Sequence, residues 1–291
     1  MSLLSVVLVA ATPHNSDPLP WQTSLSTCWT NASCNRALIV GHGGDPNFVT
    51  LPYGSLPSFE RAVAVGADAV KGDYRAAEDG LGVVVHSSPI EIYESLDCAF
   101  RKPEKMAAAK VAECHMLPTN TTFITAATML DWAKGKVNVM WCIKDDDDIA
   151  AAVREILAHG AQDRTFLEIR VGPLLQRVPQ IANFTSVYYL AEAGSEAEID
   201  AVLAAPAELR ARIFTLELDQ GLLKTVNVSA TAARLHAAGI RLLAPTDETL
   251  ATVAAHEKLW RSGIDVVYSY GVDHGVVARK KINEERGVTP A

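Results

Sequence analysis

Two histidines end short apolar runs in the first third of the sequence. His42 follows the run 37–41 and precedes a glycine pair, and His86 follows Val83–Val85. A pair of imidazoles suits acid–base work near neutral pH, in which one ring deprotonates an attacking hydroxyl and the other protonates the leaving oxygen. His42 and His86 are therefore the candidate catalytic residues.

Charged side chains alternate along two further runs. Lys71 and Asp73 lie two residues apart, as do Cys142 and Lys144, so each pair shares one face of a strand. If that face lines a common site, the lysines there supply positive charge for a phosphate or carboxylate. Lys71, Asp73 and Lys144 are the candidate substrate-binding residues. Two alternatives stay open for Lys71: a structural ion pair with Asp73, and a Schiff-base nucleophile if its pKa is depressed.

The elements that must position these residues are predicted by a repeated alternation of short β-branched runs and helical stretches. Three helix-to-strand junctions carry a glycine suited to a helix C-terminus, at Gly66, Gly239 and Gly263. Repeated βα units imply parallel strands with right-handed crossovers, and eight or nine units in about 250 residues suit a (β/α)8 TIM barrel. A doubly wound sheet is the alternative, but no G-x-G-x-x-G motif opens a helix after the first strand.

Nine strands are predicted, at 37–41, 69–73, 82–86, 137–144, 165–171, 186–190, 213–218, 240–244 and 266–270. Because a barrel of this kind has eight, we expect either 186–190 or 213–218 to lie outside the ring. Residues 87–136 form an insertion between the third and fourth strands and are expected to cover the site. The predicted domain is a single barrel over 37–291, preceded by a leader or loop at 12–36.

The composition excludes several classes of protein. The sequence has 26 Lys and Arg against 34 Asp and Glu, a formal charge of −8, which disfavours nucleic acid or an anionic membrane surface as a partner. It is 49% hydrophobic and 21% charged, typical of a folded globular chain. No apolar run approaches the roughly 20 residues of a transmembrane segment.

The N-terminus and the sequons indicate a secreted protein. Residues 3–11 have the length of a signal-peptide core and end in a V-x-A cleavage pattern, although no Lys or Arg precedes them, so 1–11 is the predicted signal peptide. Chance predicts about one N-x-S/T sequon here, and the excess indicates extracellular glycosylation. The four predicted glycosylation sites are Asn31, Asn120, Asn183 and Asn227.

Five cysteines are present, and their spacing predicts two disulfides. Cys28 and Cys34 bracket a polar loop, and Cys98 and Cys114 bracket a helix-like segment. Cys142 is left as a buried free thiol in an apolar strand. No cysteine and histidine cluster has the spacing of a zinc finger.

Other polar residues rank lower as functional candidates. The acidic run 145–148 is interpreted as a solvated helix N-terminus, favoured by the helix dipole. His159, His236 and His256 lie in amphipathic helical patterns and are expected at the surface. Residues 273–274, Asp-His, follow the last strand and form a weaker candidate pair near the barrel mouth.

The residues from 39 to 86 resemble the glycerophosphodiester phosphodiesterase family, in the phospholipase-C-like superfamily of barrels. The resemblance is carried by IVGHGG, by the helix leading into Gly-Ala-Asp at 66–68, by the Glu-Asp-Gly turn at 78–80 and by the strand that ends in histidine. The later match is looser: 135–144 resembles that family's Glu-x-Lys strand, and 263–270 its last strand. The Gly-His opening is also similar to the sphingomyelinase D group, whose fold and secretory habit are alike.

The resemblance implies a phosphodiesterase in which two histidines do the chemistry and two glutamates and an aspartate bind a divalent metal. The sequence keeps His42, Asp73, His86 and Lys144 at the matching positions. It has Gly43 for an arginine, Lys71 for the first metal glutamate, Ser87 for an aspartate and Cys142 for the second metal glutamate. Hard Mg²⁺ or Ca²⁺ needs several oxygen ligands, and an ammonium repels it. We therefore expect no cofactor, with a metal site completed by Glu168 as the alternative.

Together these patterns predict a divergent secreted phosphoric diester hydrolase or lyase. Its substrate is a glycerophosphodiester or a lysophospholipid-like molecule, cleaved by His/His chemistry without the family's metal, so its partner is a small phosphodiester or a lipid head group. The resemblance offers a precedent, since metal-independent bacterial phosphatidylinositol-specific phospholipases C use a protein cation in the metal's place. The alternative is a catalytically inactive barrel that binds a phosphate- or carboxylate-bearing ligand.

Overall fold

A closed ring of parallel strands dominates the computed structural model of the chain, which describes residues 18–31, 33–47, 49–246 and 251–288. The strands are β1 Leu38–His42, β2 Ala69–Ala76, β3 Gly82–Val84, β4 Ile124–Thr125, β5 Asn138–Ile143, β6 Thr165–Arg170, β7 Tyr188–Ala193, β8 Ile213–Leu218, β9 Arg241–Pro245 and β10 Val266–Ser269. The order β1-β2-β5-β6-β7-β8-β9-β10 closes by pairing of β10 with β1, and all eight pairings are parallel. The predicted (β/α)8 barrel is confirmed. The predicted signal peptide, 1–11, lies outside the described residues.

Two short strands lie outside the ring, β3 and β4. Of the nine predicted strands it is 82–86, which contains β3, that leaves the ring, so the expectation for 186–190 or 213–218 was wrong. β7 and β8, which contain those runs, are both ring members. A tight turn, in which Ala77 N donates to Leu81 O at 2.8 Å and Gly80 has φ of +75°, folds β3 back antiparallel on β2. A hairpin strand and a barrel strand share the same apolar pattern, and only the turn distinguishes them.

Helices follow most ring strands. They are α1 Pro20–Thr23, α2 Leu56–Val65, α3 Ala108–Val111, α4 Ala126–Ala133, α5 Ile149–Ala158, α6 Val171–Gln176, α7 Glu196–Leu203, α8 Ala207–Arg210, α9 Gln220–Leu223, α10 Val228–Ala237, α11 Val253–Arg261 and α12 Val272–Glu285. Gly66, Gly239 and Gly263 have φ of +104°, +77° and +106°, which confirms their predicted place after helix ends. Within the described ranges, no helix is long and apolar enough to cross a membrane.

Side chains of the ring strands alternate between two apolar cores. One set packs against the helices and includes Ile39, Val70, Val139, Leu167 and Leu216. The other set fills the barrel and includes Val40, Ala69, Met140, Phe166 and Leu243. Further along the same inward positions the residues become polar: Lys71, Asp73, Glu168 and Glu217 are all 4% exposed or less. The carboxyl-terminal half of the barrel interior therefore holds charge rather than hydrocarbon.

The segment before β1 closes the amino-terminal end of the barrel. Trp29 is fully buried, with its ring centroid 5.5 Å from that of Phe166 and 6.4 Å from that of Phe214. Its Nε1 donates to Trp21 O at 2.8 Å, and Trp21 Nε1 donates to Asp68 Oδ1 at 3.0 Å. Trp21 and Trp29 thus tie the segment before β1 to the barrel, although the domain was predicted to start at residue 37.

The insertion forms a small cluster of its own beside β3. Val85, Ile90, Val111, Met116 and Phe123 are buried together there. Disulfides join Cys98 to Cys114 in this cluster and Cys28 to Cys34 in the segment before β1, as predicted, and Cys142 is free. The insertion is therefore fixed against the carboxyl-terminal side of the hairpin, where the candidate residues lie.

Candidate active site

His42 ends β1 at the carboxyl-terminal mouth of the barrel. The chain turns sharply after it, with φ of +66° at Gly43 and +90° at Gly44. A Cβ at residue 43 would lie 2.1 Å from Cδ2 of Tyr53, so only glycine lets the Tyr53 ring lie against this turn. Tyr53 therefore fills space beside the position at which the resembled family has an arginine.

Three tyrosine rings surround the imidazole of His42. The centroid distances are 4.3 Å to Tyr270, 4.5 Å to Tyr268 and 5.5 Å to Tyr53. Nε2 lies 3.3 Å from Nζ of Lys71, and Nδ1 is buried without a hydrogen-bond partner in the described part of the chain. Burial and the Lys71 charge lower the pKa of His42 well below its usual value, so the ring is neutral at pH 7.

Lys71 lies inside the barrel, 4% exposed, opposite His42 in the β1–β2 register. Its Nζ is 3.3 Å from Oε2 of Glu168 and 4.9 Å from the centroid of the Tyr268 ring. Burial alone lowers the pKa of Lys71, but the Cys142 sulfur and the Glu168 carboxylate oppose it, and the net pKa is well above its usual value. That direction is opposite to the one that a Schiff-base nucleophile needs.

Asp73 pairs with Lys144 and not with Lys71. Nζ of Lys144 lies 3.0 Å from Oδ1 of Asp73, whose side chain is 1% exposed. Burial raises the pKa of Asp73, but the Lys144 and Lys71 charges outweigh it and bring the pKa well below the usual value. The alternative of a Lys71–Asp73 ion pair was therefore wrong, and the interior holds two separate pairs.

His86 follows β3 and packs against the same Tyr53 ring as His42. The Tyr53 and His86 centroids are 6.0 Å apart. The main-chain oxygen of His86 accepts hydrogen bonds from Nε and Nη2 of Arg75 at 3.2 and 2.9 Å, and its Nδ1 lies 3.2 Å from Oγ of Ser87. Partial desolvation and the Lys144 charge, opposed by Asp73, lower the pKa of His86, but less than that of His42.

A cleft of about 580 Å³ opens beside His86. Its wall is largely aromatic and apolar and comes from the loop before α2, from the insertion and from the end of β10: Tyr53, Tyr93, Met116, Leu117 and Tyr270. A site of this size, with few polar groups on an apolar wall, suits a small organic ligand. The insertion therefore contributes one wall of the candidate site.

Two further carboxyl groups of the interior were missed by the sequence analysis. Glu217 of β8 is 1% exposed and faces Glu192 of β7 in the strand register. Burial and the Glu168 carboxylate raise the pKa of both groups, Glu217 the more strongly, which favours their neutral forms. The alternation Thr215-x-Glu217 could have identified Glu217, whereas nothing in the local sequence around Tyr53 marks it as a site residue.

The residues at this mouth do not fit the divalent metal that the family resemblance implies. Among the described residues, no three His, Cys, Asp or Glu side chains converge to hold a metal ion. The carboxylates of Asp73 and Glu168 each lie against an ammonium, which competes with a metal for their oxygens. Burial, together with Glu168, raises the pKa of Cys142 well above its usual value, and sulfur is a soft ligand that hard Mg²⁺ or Ca²⁺ does not prefer.

Residues ranked lower by the sequence analysis lie away from the cleft wall. In the acidic run, Asp145 caps the turn before α5 through Asp147 N at 3.0 Å, and Asp148 Oδ2 accepts from Ala76 N at 3.0 Å. His274 contacts Ala251 O through Nδ1 at 2.8 Å.

One histidine predicted at the surface is buried. His256 is 0% exposed, and its Nδ1 lies 2.7 Å from Thr252 O. α12 covers it, because Gly275 has no Cβ; a Cβ there would lie 3.0 Å from the imidazole. His159 is partly exposed and contacts Asp131, and His236 is exposed, as predicted, and contacts Asp265.

No protein-family model matches the chain, and no curated protein matches it. Solved structures do. A glycerophosphoryl diester phosphodiesterase from Parabacteroides distasonis superposes with a TM-score of 0.69 at 17% identity, over 88% of this chain and 90% of that one.

Two further structures give the same result. An Oleispira antarctica phosphodiesterase in complex with the product sn-glycerol-3-phosphate has a TM-score of 0.67 at 17% identity, over 87% of this chain and 99% of that one. A glycerophosphodiester phosphodiesterase from Thermotoga maritima has a TM-score of 0.63 at 18% identity, over 82% and 96%. The chain therefore has the (β/α)8 barrel fold of the glycerophosphodiester phosphodiesterases, as the sequence resemblance predicted.

Proposed function

We propose that this protein cleaves phosphodiesters without a divalent metal, with His42 as the base and His86 as the acid. The substrate is a glycerophosphodiester or a lysophospholipid-like molecule. The observation that carries the proposal is that two imidazoles pack against one ring, Tyr53, at the mouth of the barrel, with centroid distances of 5.5 and 6.0 Å. The likeness in fold to phosphodiesterases supports it.

The unequal pKa shifts support a division of the two roles. His42 has the lower pKa, because it is more deeply buried and lies against Lys71, so it stays unprotonated and accepts the proton of the attacking hydroxyl. His86 has the higher pKa of the two and is exposed, so it is the one that carries a proton to the leaving oxygen. Environments that push two pKa values apart are how one site runs acid and base chemistry together.

The lysines supply the positive charge. Lys144 is 20% exposed and paired with Asp73, so its remaining N–H groups are open to a phosphate oxygen. Lys71 lies deeper and acts through His42, whose Nε2 it contacts, and through its charge. Two fixed ammonium groups stabilise the developing charge on the phosphate without reorganisation.

The Tyr53 ring must move for His42 to work. In this structure one nitrogen of His42 is bonded to Lys71 and the other is buried. Tyr53 packs on the imidazole and also lines the cleft, so its displacement would open His42 to a ligand in the cleft. The Lys71 ammonium donates to Nε2, so the neutral ring carries its proton on Nδ1. Nε2 therefore accepts the proton of the attacking hydroxyl only when that hydroxyl replaces Lys71 at this nitrogen. Catalytic contacts often form only in the substrate complex, and the shielding therefore does not remove His42 as a candidate.

A second candidate function is favoured by the same shielding. Each lysine already has a carboxylate partner. A barrel that binds a phosphate- or carboxylate-bearing ligand at Lys144 without turnover would show the same contacts as the enzyme. The two functions differ in one measurable respect, the appearance of product.

The deciding experiment follows phosphodiester turnover by phosphorus NMR on glycerophosphodiesters, lysophospholipids and sphingomyelin, with and without EDTA. We expect product that resists EDTA and that His42→Gln and His86→Gln each abolish, while His159→Gln, a partly exposed histidine away from the cleft, retains it. Turnover lost in EDTA contradicts the metal-free mechanism. Ligand binding to the wild type without any product supports the binding protein instead.

We also propose that the protein is secreted and glycosylated. Its two disulfides favour an oxidising compartment, and all four sequon asparagines are exposed, as a glycan requires: Asn31, Asn120, Asn183 and Asn227. Expression in a secreting eukaryotic host, followed by intact mass before and after enzymatic deglycosylation, tests this. A mass equal to the unmodified polypeptide contradicts the glycosylation proposal.

A further inference from the structure

A short loop of the insertion carries a concentration of exposed apolar side chains. Seven large apolar residues in the described part of the chain are strongly exposed, and four of them fall between residues 92 and 100: Ile92 at 53%, Tyr93 at 62%, Leu96 at 64% and Phe100 at 74%. The other three, Val49, Leu81 and Val277, are scattered along the chain. Scattered exposed residues are ordinary in soluble proteins, whereas a group of them marks an interaction surface.

This 92–100 loop is held as a defined protrusion. Its ends are joined by two main-chain hydrogen bonds, Phe100 N to Ile90 O and Ile90 N to Arg101 O, each 2.8 Å long. Inside the loop, Ser95 is fully buried and donates to Oδ1 of Asp97 at 2.6 Å, and Cys98 ties the loop to the insertion by its disulfide. A loop fixed in this way loses little conformational entropy when it binds.

Phe100 has a backbone conformation that bulky residues rarely adopt. Its φ is +66°, in the left-handed region that favours glycine or asparagine. The side chain it carries is the most exposed large apolar group of the described residues. Neither local backbone preference nor burial accounts for phenylalanine at this position.

The loop adjoins the candidate site. Tyr93 and Glu94 line the same cleft as His86, and Leu117 N donates to Glu94 O at 2.8 Å, so the loop and the cleft wall are one structure. The neighbouring wall is apolar, with Met116 and Leu117. Whatever binds the exposed side chains therefore lies against the entrance of the cleft.

The charged residues around the loop indicate which kind of surface the loop can bind. From residue 91 to residue 105 there are three basic and four acidic side chains, a balance of 3 − 4 = −1, and the whole chain carries −8. The basic ones are Arg101, Lys102 and Lys105, and the acidic ones are Glu91, Glu94, Asp97 and Glu104. A region with net negative charge is not attracted to an anionic lipid surface. Insertion of apolar side chains into a zwitterionic interface does not need positive charge.

We propose that the 92–100 loop docks the protein on a zwitterionic lipid surface by inserting Ile92, Leu96 and Phe100 at the level of the head groups. Docking places the cleft entrance against the head-group layer. The proposal rests on the exposed side chains and on the position of the loop, and it does not depend on turnover.

The test is flotation of the full-length protein with phosphatidylcholine vesicles. We expect the wild type to float with them in 0.1 M and in 0.5 M NaCl. The double variant Leu96→Ser/Phe100→Asn should partition at least tenfold less, since it loses two of the inserting groups. Asn is chosen at residue 100 because it tolerates the left-handed backbone. Val277→Ser, which removes an equally exposed apolar side chain on α12, is the matched control and should float as the wild type does.

Three results overturn the proposal: wild-type protein that stays with the soluble fraction, a double variant that floats as well as Val277→Ser, or binding that needs anionic lipid and is lost at 0.5 M NaCl. Loop-dependent self-association in sedimentation, without flotation, would assign the surface to a protein partner instead. Unfolding midpoints of the variants control for folding. Because flotation needs no catalysis, its outcome is independent of the phosphodiesterase assay.

Discussion

Nζ of Lys71 lies 3.3 Å from Oε2 of Glu168 inside the barrel, with side-chain exposures of 5% and 3%. At the matching position of the resembled family a glutamate holds a metal, so here a cation that belongs to the chain occupies the interior. Such a charge cannot be removed by a chelator. It also needs its carboxylate partner, because an isolated buried charge is strongly unfavourable.

The Lys71–Glu168 pair should be essential for stability. Lys71→Met leaves Glu168 buried and unpaired, and we expect it to lower the free energy of unfolding by about 3–5 kcal/mol. Lys71→Met/Glu168→Leu removes both charges and should recover most of that loss. Lys110→Met, in an exposed pair with Glu113, should change it by at most about 1 kcal/mol. Urea unfolding measures all three, and a double variant no more stable than Lys71→Met contradicts the pairing.

Gly43 and Tyr53 should be energetically coupled. A Cβ at residue 43 meets the Tyr53 ring, and the positive φ adds strain, so Gly43→Ala should destabilise the fold by about 2–4 kcal/mol. Adding Tyr53→Ala removes the collision but not the backbone strain. A double-mutant cycle in chemical unfolding should therefore show that the double variant loses less unfolding free energy than the two single variants lose in sum. Strictly additive losses would show that the two residues are not in contact.

The proposed acid–base roles predict an acidic pH optimum. His42 must be neutral to act as the base, so activity falls as the pH drops below its pKa, which is well below 6.5. His86 must be protonated to act as the acid, so activity falls as the pH rises above its pKa, also below 6.5. The kcat/KM profile should be a bell with its maximum below pH 6.5. A maximum above pH 7.5 contradicts this assignment.

The segment before β1 should be required for folding of the barrel. Trp29 packs on Phe166 and Phe214 at the amino-terminal end, so Trp29→Ala should cost about 3–5 kcal/mol of unfolding free energy. Thr27→Ala, an exposed change in the same loop, should have an effect within about 0.5 kcal/mol. Thermal unfolding compares them, and equal midpoints would show that the domain starts at residue 37, as the sequence pattern predicts.

The repeating features of the fold could be predicted from the sequence, because they depend on neighbours along the chain. Alternation put Lys71 and Asp73 on one face of β2, and the glycines after the helices adopt the predicted positive φ. The two disulfides also join cysteines close in sequence. All nine predicted strands form, but the short β4 was missed and the wrong strand was expected to leave the ring, since a hairpin strand has the same pattern as a barrel strand.

The ion-pair partners inside the barrel were decided by tertiary structure alone. Residues two apart on one strand point the same way and stand about 6.6 Å apart, so Lys71 and Asp73 do not pair directly. Barrel closure places Glu168 of β6 and Lys144 at the end of β5 in the same interior. Lys71 then pairs with Glu168, and Asp73 pairs with Lys144.

The sequence by itself determined the class of fold, the shared face of Lys71 and Asp73 on β2 and the glycines at helix ends, since a period of two and a positive φ after a helix are local properties of the backbone. Only the tertiary structure decided that His42 and His86 both pack against Tyr53, that His256 is buried, and that the exposed 92–100 loop adjoins the cleft. The physical reason is that contacts between loops and strands distant in sequence depend on barrel closure and on the space left by Gly43 and Gly275, which no local pattern encodes.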